Sequence, residues 1–192
     1  MLTEFQKKCL KLAKESILEQ FWNWNAKKFK TDEKEFNELG ACFVTLKIWN
    51  DLRWCIGSIV PRQALKEDII ANAKNAWFSD PRFNSLSLKE TQNSEFNIWI
   101  TILSPIQEKK FKNKSELKLF LAKEKCWLII KLWYRQATFL PSVWEELSDV
   151  DEFVKHLLYK AGIGLDEFEN NFEAFRFEIY YGEEFKEKWR NI

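Results

Sequence analysis

Cys55 and Arg53 are the residues of this chain whose types and spacing point most directly to chemistry. Two residues apart on an extended strand, they would share a side, and a guanidinium near a thiol favours the thiolate that acts as nucleophile or ligand. The segment that carries them, residues 41–58 (ACFVTLKIWNDLRWCIGS), reads as a two-stranded hairpin whose register decides what Cys55 can do. A two-residue turn at Asn50-Asp51 sets Cys55 opposite Leu46, on the Val44, Leu46, Ile48 face that looks like core. A turn one residue longer sets it opposite Thr45, and Arg53 opposite Lys47, on a polar face. In the first register Cys55 is a small buried hydrophobe; in the second it is an accessible thiol. Arg82, which follows a helix end, and Arg135, in Tyr134-Arg135-Gln136-Ala137, are candidates for bidentate binding of an anionic substrate group. Their bland alternative is a structural salt bridge to a carboxylate such as Asp80. The single histidine, His156, falls among Leu157 and Leu158 in a helical pattern and reads as packing, so a Cys-His pair is the weaker arrangement.

The elements that must position these groups are legible in outline. Phe5, Cys9, Leu12, Ala13 and Ile17 recur at helical spacing and predict a helix over about residues 3–20. After the hairpin, which Pro61 closes, Leu65, Ile69, Ala73 and Ala76 form the stripe of a second helix, stopped by Asp80-Pro81. Phe96, Ile98, Ile100 and Ile102 alternate as a strand. The lysine-rich stretch 108–114 reads as an exposed connection. A short helix over 115–122 follows, then strands near 126–132 and 137–140. Asp149 or Asp151 can cap a helix that runs to Tyr159 and ends at Lys160 and Gly162. Phe175, Phe177 and Ile179 line one side of a last strand, 175–181. Strands and helices mixed without regular β-α-β alternation predict an α+β fold with a mainly antiparallel sheet flanked by helices.

Composition narrows the function classes. With 192 residues, 46% of them hydrophobic, the chain can bury one well-formed domain. Thirty Lys and Arg against 29 Asp and Glu give a net charge of +1, which argues against a nucleic-acid partner. The charge is uneven, since residues 105–135 carry nine basic and three acidic side chains and residues 145–184 carry three and twelve. Such runs are usually solvated faces. Tryptophans beside the lysine cluster keep open a nucleic-acid-binding module or a non-catalytic adaptor as the alternative class. Cys9, Cys42, Cys55 and Cys126 form no CxxC pair and, with one histidine, offer neither zinc nor iron–sulfur spacing. No metal and no cofactor is expected, and the thiols read as reduced. No glycine-rich phosphate loop is present. The charged N-terminus and the lack of a long apolar run predict a cytoplasmic protein that does not enter the membrane.

Phe43-Val44-Thr45, a short turn and Leu52-Arg53-Trp54-Cys55-Ile56-Gly57 resemble the signature of the AMMECR domain family, also known as protein A of the AmmeMemoRadiSam system. Asn72-Ala73, Ser79-Asp80-Pro81-Arg82-Phe83, Ile102-Leu103-Ser104, Thr138-Phe139-Leu140-Pro141-Ser142-Val143 and Lys160-Ala161-Gly162 continue the resemblance in the family's order. These blocks cover most of residues 40–165. The resemblance implies a single two-lobed domain, the larger lobe holding both chain ends, with a cleft between the lobes. It implies action beside Memo-like and radical-SAM partners, and it makes Arg53, Cys55, Arg82 and Arg135 candidate lining of that cleft. The family's own reaction is not settled, so whether this chain is an enzyme does not follow from it.

One departure recurs. Trp54 stands where the family pattern has glycine, and the resemblance suggests glycine also at Trp49, Trp127 and Trp133. The chain has five glycines, against about 13 expected at an average usage near 7%, and ten tryptophans. A source that reads UGA as glycine would produce this exchange when its gene is translated with UGA as tryptophan. Trp144 resembles the family unchanged and reads as a true tryptophan.

Overall fold

A computed structural model describes residues 1–22, 31, 33–78, 86–139 and 143–192. The expected helix stop at Asp80-Pro81, Arg82 beside it, and Leu140-Pro141-Ser142 lie outside the described residues. The chain is α+β and divides into two compact units. One comprises Met1–Leu103 with Glu183–Ile192, and the other comprises Ser104–Gly182.

In the first unit, α1 (Glu4–Trp22) buries Cys9, Leu12, Ala13 and Ile17, the stripe its spacing predicts. A short α2 (Lys34–Asn37) buries Phe36, and β1 (Leu39–Gly40) leads into the main sheet. β2 (Cys42–Ile48) and β3 (Asp51–Gly57) form the expected hairpin. β4 (Gln63–Ala64) pairs with β1 and runs into α3 (Leu65–Phe78), whose Leu65, Ile69, Ala73 and Ala76 are buried. After α4 (Leu88–Thr91), closed by a Ser87–Glu90 capping box, β5 (Phe96–Leu103) pairs antiparallel with β2. The sheet is completed by β10 (Gly182–Lys188), in the order β10-β5-β2-β3. Its inner face packs Val44, Leu46, Ile98 and Ile100 into one core with α1 and α3. Alternation does the sorting, since Phe43, Thr45 and Lys47 on β2 leave this core while their neighbours enter it.

The second unit is built on a sheet ordered β6-β9-β7-β8. It contains β6 (Gln107–Lys109), β7 (Trp127–Leu132), β8 (Arg135–Thr138) and β9 (Arg176–Tyr180). The helices are α5 (Lys114–Glu124), α6 (Val143–Glu146), α7 (Val150–Lys160) and α8 (Leu165–Asn170). Leu117, Leu121, Leu128, Ile130, Phe153, Leu157, Phe168 and Phe177 form its core. Asp149 caps α7 by accepting from the Glu152 backbone N–H, and Gly162 follows the helix with φ +69°.

The structure differs from the sequence reading in several places. Glu108 and Lys109, the start of the stretch 108–114 read as connection, belong to β6, because β9 supplies a strand partner that local sequence does not show. β8 begins at Arg135 rather than Ala137, since Leu132 pairs with Arg135 directly across a two-residue turn. The strand β10 and the helix α8 carry no strong pattern of their own; β10 buries only Phe185 fully among its exposed Glu and Lys side chains.

Candidate functional site

The hairpin register places Cys55. Ile48 faces Asp51, so the turn is Trp49-Asn50, one residue earlier than Asn50-Asp51. The register then shifts between Leu46 and Lys47: Lys47 faces Leu52 while Leu46 faces Trp54, leaving Arg53 as the extra residue of a β-bulge. The tight turn and the bulge together set Cys55 opposite Thr45, on the face away from the helices. There the Thr45 hydroxyl donates to the Cys55 Sγ at 3.1 Å. A hydroxyl donor to sulfur favours the thiolate. Cys55 is half-buried, whereas Cys9, Cys42 and Cys126 are buried. Burial pushes the thiol of Cys9 up to about 12 and that of Cys126 to about 11, and raises Cys42 well above its ordinary value. Ionisation of these three at neutral pH is thereby suppressed.

The same face carries Trp99, opposite Thr45 on β5, and the Lys47 and Lys186 ammonium groups, 4.2 and 3.8 Å from the Trp99 ring centre. Phe43 pairs with Gly57 at the next row, where a Cβ would come within 2.2 Å of the Phe43 ring. Only a residue without a side chain lets that ring lie against β3.

Arg53 is held differently from the simple strand reading. The bulge interrupts alternation at Arg53, and its Nε donates to Glu90 Oε1 at 2.6 Å while its guanidinium carbon lies 4.9 Å from the Trp54 ring centre. Burial works against the Glu90 charge, but hydrogen bonds from Arg53 and Ser87 outweigh it and hold the carboxyl below its ordinary range.

Arg135, in the second unit, forms a fork with Glu167: Nη1 donates to Oε2 at 2.9 Å, Nη2 donates to Oε1, and Nη1 also reaches the Gly162 carbonyl at 3.0 Å. The Glu167 hydrogen bond raises the Arg135 pKa further, and the Arg135 hydrogen bond lowers that of Glu167. The structural salt bridge weighed for arginine therefore exists here, with Glu167 as partner. His156 is exposed on α7 rather than packed, its Nε2 3.7 Å from Glu152; one position along a helix turns a side chain through about 100°, away from buried Leu157.

The sequence profile of the AMMECR1 family matches residues 10–181. The chain belongs to the AMMECR1 family. A protein of Methanosarcina mazei is 37% identical over 155 residues, covering 80% of this chain and 74% of that protein. A protein of Methanocaldococcus jannaschii is 33% identical over 153 residues, covering 78% and 75%. The crystal structure of an uncharacterized protein from Pyrococcus horikoshii has the same fold, with a TM-score of 0.79 at 23% identity over 98% of this chain and 94% of that one.

Two features of this AMMECR1-family chain escaped sequence reasoning. Asp68, 2% exposed, accepts from the Cys42 backbone N–H at 2.9 Å, Ser58 Oγ at 2.8 Å, Gln63 Nε2 at 3.1 Å and Asn72 Nδ2 at 2.9 Å. Asn72 also donates to the Cys42 carbonyl at 3.1 Å. This cluster ties the start of β2 to α3 and to the residue after β3. Its sequence signals are the i, i+4 spacing of Asp68 and Asn72 and the place of Asn72-Ala73 among the blocks of the family resemblance. Second, the basic run finds acidic partners inside its own unit: Lys114 with Glu169, Lys118 with Asp151 at 2.5 Å, and Lys131 with Glu178 at 2.6 Å. Among the described residues no helix is long and apolar enough to cross a membrane.

Proposed function

We propose that this AMMECR1-family protein uses the Cys55–Thr45 pair as a reactive thiol centre facing a small anionic molecule, in concert with Memo-like and radical-SAM partners. The observation that carries this reading is the register: Cys55 is the one cysteine outside the core, with a hydroxyl donor directly across the strand pair. Lys47, on the same face as Thr45, adds positive charge suited to an anion. Arg53 and Arg135 have carboxylate partners, so a substrate anion would compete with Glu90 or Glu167 for them. Arg82 retains its candidacy from the family resemblance.

The test is thiol alkylation of the folded protein between pH 6 and 9, followed by peptide mapping. Cys55 is expected to react first, and Thr45→Val to slow it by removing the hydroxyl donor to its Sγ. Alkylation of Cys55 only after unfolding would reject the thiol centre. The partner half is tested separately, by co-purifying the tagged chain with the Memo-like and radical-SAM proteins of its own source; failure to retain either rejects that association.

A further inference from the structure

Two tight hairpins among the described residues share a backbone conformation that does not suit their residues. In both, two residues join directly paired strand ends: Trp49-Asn50 between Ile48 and Asp51, and Trp133-Tyr134 between Leu132 and Arg135. In both, the first turn residue has a positive φ, 58° at Trp49 and 53° at Trp133, while Asn50 and Tyr134 do not. A two-residue hairpin turn with positive φ at its first central position alone has the sign pattern of type II′, which takes glycine there. A Cβ in that region meets the following carbonyl, and a bulky residue is a true outlier.

Nothing at either site repays the strain. Trp49 is 67% exposed and Trp133 74% exposed, so neither indole gains burial by sitting there. The Arg135 guanidinium lies 5.8 Å from the Trp133 ring, a weak contact at an exposed site. Lys125 shows what an ordinary exception looks like: its φ of 44° closes a helix C-terminus, with its N–H bonded to the Leu121 carbonyl. Trp144 shows what an indole does where it belongs. It is 6% exposed, stacks on Phe153 at 3.6 Å and 5°, and donates from Nε1 to the Cys126 carbonyl at 3.1 Å.

One residue type misplaced twice in the same structural role, in a chain with ten tryptophans and five glycines, points to a shared cause. We propose that positions 49 and 133 are glycine in the protein as its source makes it, both encoded by UGA that the source reads as glycine. A codon assignment changes every position that uses the codon at once, which independent substitution does not. The geometry assigns these two positions. Trp54 and Trp127 fill buried space, and their backbone carries no such sign.

The test reads the tryptophan codons of the gene and sequences the native protein by peptide mass spectrometry. UGA at 49 and 133, UGG at 144 and glycine in both native hairpin peptides are expected. UGG at either hairpin position, tryptophan in either native peptide, or UGA at 144 overturns the assignment. A second measurement uses the tryptophan-containing chain. Trp49→Gly and Trp133→Gly should each raise the unfolding midpoint by about 2–4 °C through relief of left-handed strain, whereas Trp144→Gly should lower it. A fall for either hairpin variant removes the conformational premise.

Discussion

At the scale of single residues, the outcome turned on Arg53. Paired in register with Leu46, it would set Cys55 opposite Val44 on the core face; as the extra residue of a bulge, it leaves Cys55 opposite Thr45 on the outer face. Deleting Arg53 should restore uniform pairing while leaving Trp54 opposite Leu46 and Cys55 opposite Thr45. Alkylation of Cys55 should then stay ahead of that of Cys9 and Cys42, and a fall to their slow rate would show that exposure depends on the bulge itself rather than on the pairing with Thr45. The Arg53–Glu90 pair has a pH signature. Because the folded Glu90 carboxyl titrates below its ordinary value, its stabilisation is complete above the unfolded carboxylate range and is lost as pH falls through the lowered folded value. Glu90→Gln should flatten that acid-side loss in a pH series of unfolding midpoints, and an unaltered slope would count against the pair.

At the scale of elements, one cap and one buried polar cluster hold structure that hydrophobic pattern alone does not reveal. Asp149 satisfies an otherwise orphaned N–H at the start of α7, so Asp149→Ala should cost about 1 kcal/mol, read as lost amide protection in the first turn of that helix. Asp68 is of a different order. Its carboxylate collects a backbone N–H and side-chain donors from Ser58, Gln63 and Asn72 in a buried place, and removing it strands them together. Asp68→Ala should destabilise by about 3–5 kcal/mol. A loss under 1 kcal/mol in denaturant titration would mean that water replaces the carboxylate without penalty.

At the scale of the whole molecule, the chain builds two cores, and each closes on its own residues. Leu46 and Leu157 are both 0% exposed, one in each core. Truncating either to alanine should cost about 2–5 kcal/mol. Hydrogen exchange should show the loss concentrated in the amides of the truncated unit. Equal loss of protection in both units would show that they open as one block.

Much of this organisation was already present in the amino-acid order. The α1 and α3 stripes, the alternation of β5 and β9, the Asp149 cap and the Gly162 stop depend on contacts within a few residues, and periodicity reports such contacts directly. The α+β class followed from their order, and the family from short blocks spread along the chain. Tertiary structure decided the rest. The strands β6 and β10 exist because β9 and β5 lie beside them, and nothing in the short runs 107–109 and 182–188 announces those partners. The register of Cys55 depended on a turn and a bulge whose effects combine, and either alone would have put the thiol elsewhere. The ion partners of Arg53 and Arg135 lie 37 and 32 positions away along the chain. Sequence spacing names the groups able to do chemistry; which of them face a substrate and which face a carboxylate is set by pairing between distant segments.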